Sequence, residues 1–203
     1  MTLIELLVVL AVLALLAALV LSEFLHKEKE KAMRISCVSN LRQTGMAFRV
    51  WEGDNNDKYP MQVAGTNGGT MEFITGPNAF RHFQVMSNEL NTPVVLFCPS
   101  DSQVLAKDFH MFSNAHLSYF TGVDAVETNS EMFLTGDRNI TNGTLIRNNL
   151  LELTTNSPAS WTAKTHVKAG NILLTDGSVR QADTMSLRTL IEASGVTNRL
   201  QMP

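Results

Sequence analysis

One long apolar run at the start of the chain constrains the fold more than any other feature. It reads MTLIELLVVLAVLALLAALVL and contains a single charged residue, Glu5. Twenty-one helical residues span roughly 30 Å, which matches the hydrocarbon core of a bilayer. The run is too long for the apolar part of a secretory signal, and neither a basic segment before it nor a small-residue cleavage site after it is present. We therefore expect a transmembrane helix that the mature protein keeps.

Glu5 is the informative residue of this segment. A carboxylate inside an apolar membrane helix is costly, and such residues commonly mark function. In a purely structural interpretation, the side chain lies near the helix end and reaches the lipid headgroups. The composition of the segment leaves both interpretations open.

The helical pattern continues beyond the apolar run. A mixed-charge stretch from Glu28 to Lys31 is rich in helix formers and is typical of a solvated surface. Apolar or small residues then recur near helical spacing as far as Phe48. Gly53 and the Asp- and Asn-rich residues after it favour a helix end. The sequence thus predicts one continuous helix over residues 2–52.

The rest of the chain predicts an α+β head domain. Three parts are expected: an apolar helix half (1–25), an amphipathic helix half packed on the head (26–53), and the head itself (54–203). Composition and turn residues predict the following elements: strands at Val94–Phe97 and Glu131–Thr135, a hairpin from Thr162 to Thr175 around a turn at Ala169–Asn171, a second turn at Asp176–Gly177 into a strand at Ser178–Ala182, and a helix at Met185–Ala193 closed by Gly195.

The chain has two cysteines, Cys37 and Cys98, more than sixty residues apart. Their spacing excludes the C-x-x-C motifs of zinc knuckles and thioredoxin-like proteins. In an exported domain, two such residues indicate one disulfide. Closing this loop would stabilise the fold by roughly 4 kcal/mol. Two buried thiols are the alternative.

Several segments resemble type IV pilins and the pseudopilins of type II secretion. T-L-I-E-L, with Glu5 fifth in the chain and aliphatic residues after it, is similar to the N-terminus of their processed subunits. His166, nine further residues and then Asp176-Gly177 match the H-x9-DG motif of one subgroup. Three more segments are similar to that subgroup: Asn40–Gln43, Phe97–Asp101 and Ser118–Tyr119.

The resemblance implies a pilin-like fold, in which a long N-terminal helix packs on a small antiparallel sheet. It also implies a short basic leader that a prepilin peptidase removes, and N-methylation of Met1, where the family more often has phenylalanine. In such filaments the N-terminal helices form the core. An unpaired charge there is costly, so Glu5 would pair with the α-ammonium of Met1 on a neighbouring subunit. Ser22 stands where many of these subunits have a proline.

The resemblance also implies where the protein works and with what partners. The monomer would lie in the inner membrane, within the lipid bilayer, until an inner-membrane assembly machinery extracts it. Its main partners would be identical subunits in a helical homopolymer at the cell surface, or in a short periplasmic pseudopilus.

Three further groups of residues are candidate sites. His166 and Asp176 would lie on adjacent strands, where Asp176 and Gly177 fix a turn and His166 packs against it. The Asp/Asn run after the helix offers oxygen ligands for Ca²⁺ but lacks the spacing of an EF-hand. Formal glycosylation sequons begin at two asparagines. The possible Ca²⁺ ligands are Asp54, Asn56 and Asp57, and the sequon asparagines are Asn139 and Asn142.

The leading functional prediction is a non-enzymatic filament subunit. No nucleophile elbow organises the Ser, His and Asp residues, and no confident cofactor or metal site is expected. The net charge of −3 argues against nucleic acid as a partner. The alternatives are a major pseudopilin of type II secretion and a membrane-anchored binding domain that never polymerises.

Overall fold

A single helix of 51 residues, α1 (Leu3–Gly53), dominates the N-terminal quarter of the molecule. This computed structural model describes residues 2–203, except for the side chains at 18–20, 22, 23 and 26. At 1.5 Å per residue α1 is about 76 Å long. The prediction of one continuous helix is thus confirmed. Within the part of the chain that the structure describes, no helix is both long and apolar enough to cross a membrane, so the expected transmembrane helix is not confirmed.

The head combines three short helices with two antiparallel sheets, and the α+β prediction is confirmed. The helices after α1 are α2 (Ala79–Gln84), α3 (Ser87–Leu90) and α4 (Thr184–Ser194). The main sheet has six strands in the order β4-β8-β1-β2-β6-β7, and β3 pairs with β5 in a separate ribbon. The strands are β1 (Tyr119–Gly122), β2 (Phe133–Asp137), β3 (Ile140–Thr141), β4 (Leu150–Leu153), β5 (Ser160–Trp161), β6 (Ala169–Leu174), β7 (Val179–Asp183) and β8 (Asn198–Gln201).

The main sheet is covered on both faces. Neighbouring residues of a strand point to opposite faces, and here they join different apolar clusters. Tyr119 and Leu134 pack in the cluster of α1, while Phe120 and Phe133 pack in the cluster of α4. All six residues of β6 are buried, because both faces of this strand are covered.

Gly45 is the point of closest approach between α1 and the sheet. A Cβ at this position would lie 3.0 Å from both methyl carbons of Leu173 on β6. Such a distance is shorter than an ordinary van der Waals contact, so a larger residue would require Leu173 or the helix to shift by a few tenths of an ångström. The small residue therefore sets the depth at which the second half of α1 sits on the head.

Two of the predicted strand segments are wrong. Pro93–Leu96 forms a 3-10 helix rather than a strand, with the Thr92 hydroxyl accepting a hydrogen bond from the backbone N–H of Val94. The expected turn at Ala169–Asn171 is the start of β6, so the hairpin from Thr162 to Thr175 does not form. The turn at 176–177, the strand after it and the helix α4 up to Gly195 are confirmed.

Candidate functional site

The first half of α1 carries an apolar surface that the rest of the chain does not cover. Every side chain from Leu3 to Ala17 is exposed, and all except Glu5 are aliphatic. Eleven of these fifteen positions hold Leu, Ile or Val. Soluble monomers rarely expose so large a continuous apolar area, and such areas mark surfaces that another molecule or an apolar medium covers. This half of α1 is the first candidate functional surface.

Glu5 closes the N-terminus of its own helix. The backbone N–H of Thr2 donates to Glu5 Oε2 at 2.8 Å, and the backbone N–H of Glu5 donates to Thr2 Oγ1 at 3.3 Å. This reciprocal pair is a capping box, which satisfies two backbone donors that would otherwise lack partners. The Thr-x-x-Glu spacing in the sequence is the signature of this motif. Met1, the expected partner of Glu5 on a neighbouring subunit, lies outside the described residues.

The second half of α1 is fastened to the head by a disulfide between Cys37 and Cys98. The two Cα atoms are 5.2 Å apart, and both residues are buried. The predicted disulfide is thus confirmed, and neither cysteine is a free thiol in this structure. One turn further along the helix, Asn40 Nδ2 donates to the backbone oxygen of Phe97 at 2.8 Å. Covalent and polar contacts therefore fix the same short stretch of α1.

Segments that resembled the H-x9-DG subgroup converge next to this disulfide. Asp101, three residues after Cys98, accepts two hydrogen bonds from Arg138, at 2.7 and 2.9 Å. Arg138 directly follows Asp137, the last residue of β2, which pairs with Tyr119 on β1. Residues from distant segments of the chain thus form one polar cluster beside α1. We call this cluster the helix–head joint; its members are Cys37, Cys98, Asp101, Tyr119, Asp137, Arg138, His166 and Asn171.

His166 belongs to this joint and not to the turn at Asp176. Its Nε2 atom lies 3.4 Å from Cys98 Sγ and 3.5 Å from Asp137 Oδ2. Asp176 follows the opposite end of the six-residue strand β6, which is about 20 Å long at the usual rise per residue. The expectation that His166 packs against Asp176 is therefore wrong.

An unusual backbone conformation delivers the imidazole to the joint. His166, Val167 and Lys168 have φ angles of 50°, 47° and 60°. The left-handed conformation costs an L-residue about 1–2 kcal/mol, and a β-branched residue such as Val167 adopts it least readily. Strain of this kind persists only where the surrounding structure enforces it, and it is concentrated at functional sites.

Burial shifts the pKa values of Asp137 and His166, which face each other in the joint. Burial raises the pKa of Asp137 to about 7, although its Oδ2 atom accepts hydrogen bonds from the backbone N–H and Nδ2 of Asn171 at 2.7 and 2.8 Å. Burial also lowers the pKa of His166 to about 4, with a smaller contribution from the charge of Arg34. The imidazole is therefore neutral at pH 7, and its contact with Asp137 is not an ion pair there.

Asp176 and Gly177 form the tight turn between β6 and β7. Asp176 Oδ1 accepts a hydrogen bond from the backbone N–H of Ser178 at 2.7 Å. Gly177 has a φ of 83°, which favours glycine. The two residues thus have a local role in the hairpin, about one strand length away from the joint.

The Asp/Asn run after α1 terminates the helix. Asp54, Asn56 and Asp57 are all exposed, and the last two have φ angles of 58° and 56°. The backbone N–H of Asp57 donates to the carbonyl oxygen of Glu52 at 3.1 Å, which closes the turn. Among the described residues, the one group of at least three His, Cys, Asp or Glu ligands that lie together is at the joint and not here.

Both sequon asparagines have structural roles. Asn139 is 4% exposed, and its Nδ2 atom lies within hydrogen-bond distance of the carbonyl oxygens of Thr162, Thr165 and Ala169. Asn142 is 8% exposed and donates from Nδ2 to the carbonyl oxygen of Glu152 at 2.8 Å. The nitrogen that would carry a glycan is thus buried and engaged at both positions in the folded chain.

Comparisons of this chain with protein-family models, with curated proteins and with solved structures find no match.

Proposed function

We propose that this chain is the structural subunit of a type IV pilus-like extracellular filament. The observation that carries the proposal is the exposed aliphatic surface of α1 from Leu3 to Ala17, on a helix whose other half is firmly attached to a folded head. A rigid apolar rod of this kind cannot reach the head's own core. It needs covering by other molecules, and the equivalent rod of an identical subunit is the simplest partner.

The energetics favour such an assembly. Full burial of a Leu, Ile or Val side chain contributes about 1.5–3 kcal/mol. Eleven such residues between Leu3 and Ala17 therefore offer on the order of 20 kcal/mol of gross stabilisation for each subunit. This amount is counted relative to a rod in water and exceeds the usual entropic cost of association, about 4–15 kcal/mol. A rod that leaves the bilayer loses its contacts with lipid in exchange. The rods would accordingly form the core, and the heads would form the surface of the fibre.

In this proposal Glu5 has two tasks. It caps its own helix through Thr2, and it pairs with the α-ammonium of Met1 on the next subunit. A carboxylate can accept about four hydrogen bonds, so the capping contact leaves room for the second partner. Because the carboxylate is held at the end of the rod, the charge pair would set the axial register of neighbouring subunits.

The disulfide supports an exported location. Structural disulfides persist in oxidising compartments, such as the periplasm and the cell surface. The Cys37–Cys98 bond would resist pulling on α1 during and after assembly. A prepilin peptidase and an inner-membrane assembly machinery would act before the filament forms.

Substitutions at Glu5 test the proposal, because they separate capping from charge pairing. Glu5→Gln keeps the reciprocal cap, since glutamine serves at this position of a capping box, but removes the negative charge. We expect both Glu5→Gln and Glu5→Ala to reduce strongly the yield of sheared fibres, measured by electron microscopy and immunoblotting. Glu28→Ala, which breaks an exposed pair with Lys31 on the same helix, is the control and should leave the yield unchanged.

Three results would overturn parts of this account. Normal fibre yield from Glu5→Gln, with reduced yield from Glu5→Ala, would leave only the capping role. Monomers in detergent extracts and no fibres from the unaltered chain would favour a binding domain that does not polymerise. Fibres confined to the periplasm would instead identify a secretion pseudopilus.

A further inference from the structure

Three potential metal ligands from three segments of the chain meet at the helix–head joint, and a carboxylate lies beside one of them. The three are the sulfurs of Cys37 on α1 and Cys98 after the 3-10 helix, and the imidazole of His166 before β6; the carboxylate is that of Asp137 at the end of β2. The two sulfurs and a nitrogen of His166 all lie within 4.8 Å of one another. Asp137 Oδ2 is 3.5 Å from His166 Nε2. The filament proposal uses only the disulfide from this group.

Two distances from His166 resemble edges of a zinc tetrahedron. Zinc binds thiolate sulfur at about 2.3 Å, and imidazole nitrogen or carboxylate oxygen at about 2.0–2.2 Å. The corresponding tetrahedral edges are about 3.6 Å for nitrogen to sulfur and about 3.4 Å for nitrogen to oxygen. The observed values are 3.4 Å from His166 Nε2 to Cys98 Sγ and 3.5 Å to Asp137 Oδ2. To bind zinc, the two sulfurs must separate from bonding distance to about 3.8 Å. The carboxylate of Asp137, which lies outside the group formed by the two sulfurs and His166, must also move closer to them.

The surroundings orient these ligands as a second coordination shell would. Asn171 donates to Asp137 Oδ2 through its backbone N–H and its side chain, at 2.7 and 2.8 Å. Such contacts fix the direction of a metal-bound carboxylate. The left-handed stretch that begins at His166 carries the imidazole whose Nε2 atom faces Cys98 and Asp137. A cleft of about 540 Å³, lined by His166, Arg34 and Pro99, gives a path from solvent.

The charges of the site also balance. Two thiolates and one carboxylate carry −3, and a divalent cation reduces this to −1. The remaining charge is opposed by Arg34, whose positive charge acts on both Asp137 and His166. A buried site with a net charge near zero avoids the large desolvation cost of an unpaired charge.

We propose that the dithiol form of this chain binds one Zn²⁺ through Cys37 Sγ, Cys98 Sγ, His166 Nε2 and Asp137 Oδ2. Zinc replaces the two thiol protons, which pass to solvent, and no electron is transferred in this step. The zinc-bound form and the disulfide form exclude each other, since each uses both sulfurs. Chains are synthesised with thiols, so the zinc-bound form needs no reductant.

Zinc would thus fasten α1 to the head before the disulfide forms. Both states link the same two segments, and structural zinc sites contribute directly to folding free energy. A disulfide-containing oxidant later takes two electrons from the thiolates, forms the Cys37–Cys98 bond and releases Zn²⁺, while its own two sulfurs leave as thiols after taking up two protons. This proposal does not depend on the filament function.

Cobalt binding to the full chain in mild detergent tests the site. The chain is reduced with a phosphine, freed of metal with a chelator and titrated with Co²⁺ without oxygen. We expect one Co²⁺ per chain, with thiolate-to-cobalt charge-transfer bands and the intense d–d absorption of a tetrahedral site. Zn²⁺ should displace the cobalt. The oxidised chain, with its disulfide intact, should give no such bands.

Variants identify the non-sulfur ligands. His166→Ala and Asp137→Asn should each weaken Zn²⁺ binding and change the d–d spectrum, because water replaces a protein ligand. Asn171→Ala should weaken binding by about 10–100-fold, as is usual for a second-shell partner, and loss of a direct ligand should cost at least as much. His110→Ala, at an exposed histidine distant in sequence from the joint, is the matched control and should bind like the unaltered chain.

Circular dichroism shows whether the reduced chain is folded, so that each result of the cobalt titration can be interpreted. A reduced chain that unfolds without metal and refolds with Zn²⁺ supports the proposal. A reduced chain that gives no charge-transfer band, folded or unfolded, overturns it. A band that is the same in His166→Ala and Asp137→Asn as in the unaltered chain also overturns it, because two free thiols alone would then account for binding.

Discussion

The two halves of α1 share one geometry and have opposite environments. From Leu3 to Ala17 the side chains are exposed, whereas Leu41 and Phe48 in the second half are completely buried against the head. Helix propensity and an N-terminal cap suffice to explain the first half as a helix, but only the second half gains tertiary packing. The stability of the head therefore depends on the second half of α1, whereas the exposed apolar surface belongs to the first half.

Removal of the disulfide should lower the free energy of unfolding more than any other change. The loss should concern the second half of α1, which is attached to the head. The bond closes a loop with a sequence separation of 61, for which chain entropy predicts about 4 kcal/mol. We expect Cys37→Ala combined with Cys98→Ala to lower the free energy of unfolding by this amount, measured by urea denaturation with Trp51 and Trp161 fluorescence in mild detergent. An unchanged midpoint would show that the joint is held by packing alone.

The same substitution in each half gives the sharpest contrast. Leu41→Ala removes a fully buried side chain and should lower the free energy of unfolding of the head by about 2–5 kcal/mol. Leu10→Ala, at an exposed position, should change it by less than about 0.5 kcal/mol but reduce fibre yield. Equal effects on unfolding would contradict the separation of the two halves.

Acid should weaken the head through His82. This residue is fully buried, with Nδ1 2.7 Å from Thr70 Oγ1 and Nε2 2.6 Å from Gln201 Oε1. Burial lowers the pKa of His82 to about 4, below its ordinary value of 6.5. As the pH falls, the unfolded chain takes up the proton first, so stability is lost between pH 6.5 and 4, by about 3 kcal/mol from this group.

A difference measurement isolates this contribution. The lowered pKa of His166 acts in the same direction, whereas the raised pKa of Asp137 makes stability fall as the pH rises from about 4 to about 7. Urea unfolding of His82→Gln and of the unaltered chain should therefore be measured across this pH range. The difference between the two free energies of unfolding should show the contribution of His82 alone. Parallel curves for the two proteins would refute the assignment.

The smallest effect concerns the cap of the exposed half. Thr2→Ala removes the hydroxyl that accepts the Glu5 N–H and should destabilise the first turn of α1 by about 1 kcal/mol. Faster hydrogen exchange at the amides of residues 3–6 would report this change, while urea unfolding of the head stays the same. Unaltered exchange would show that the cap does not hold this end of the helix.

Local sequence signals predicted those parts of the molecule that local physics determines. The bounds of α1, the turn at Asp176 and Gly177, and the end of α4 at Gly195 follow from helix periodicity, capping and glycine conformations. The disulfide could also be predicted, because only one pairing of two cysteines exists.

The joint could not be predicted, since its residues meet only through the sheet register. Gly170 and Asn171 resemble a turn in sequence, but they lie in β6 for tertiary reasons. A Cβ at Gly170 would lie 2.3 Å from the ring of Trp161, and Asn171 is held by Asp137. A turn at these positions would place His166 beside Asp176. Because β6 is continuous from Ala169 to Leu174, His166 instead lies at the end of the strand that faces the disulfide, beside Asp137.

Cryo-electron microscopy of fibres sheared from cells that express this chain tests the central claim most directly. The account predicts that residues 3–17 pack against the same segment of neighbouring subunits in the fibre core, with Glu5 within hydrogen-bond distance of a neighbour's Met1 amine. Fibres joined through their heads, with these segments facing solvent or Glu5 far from any amine, would contradict it.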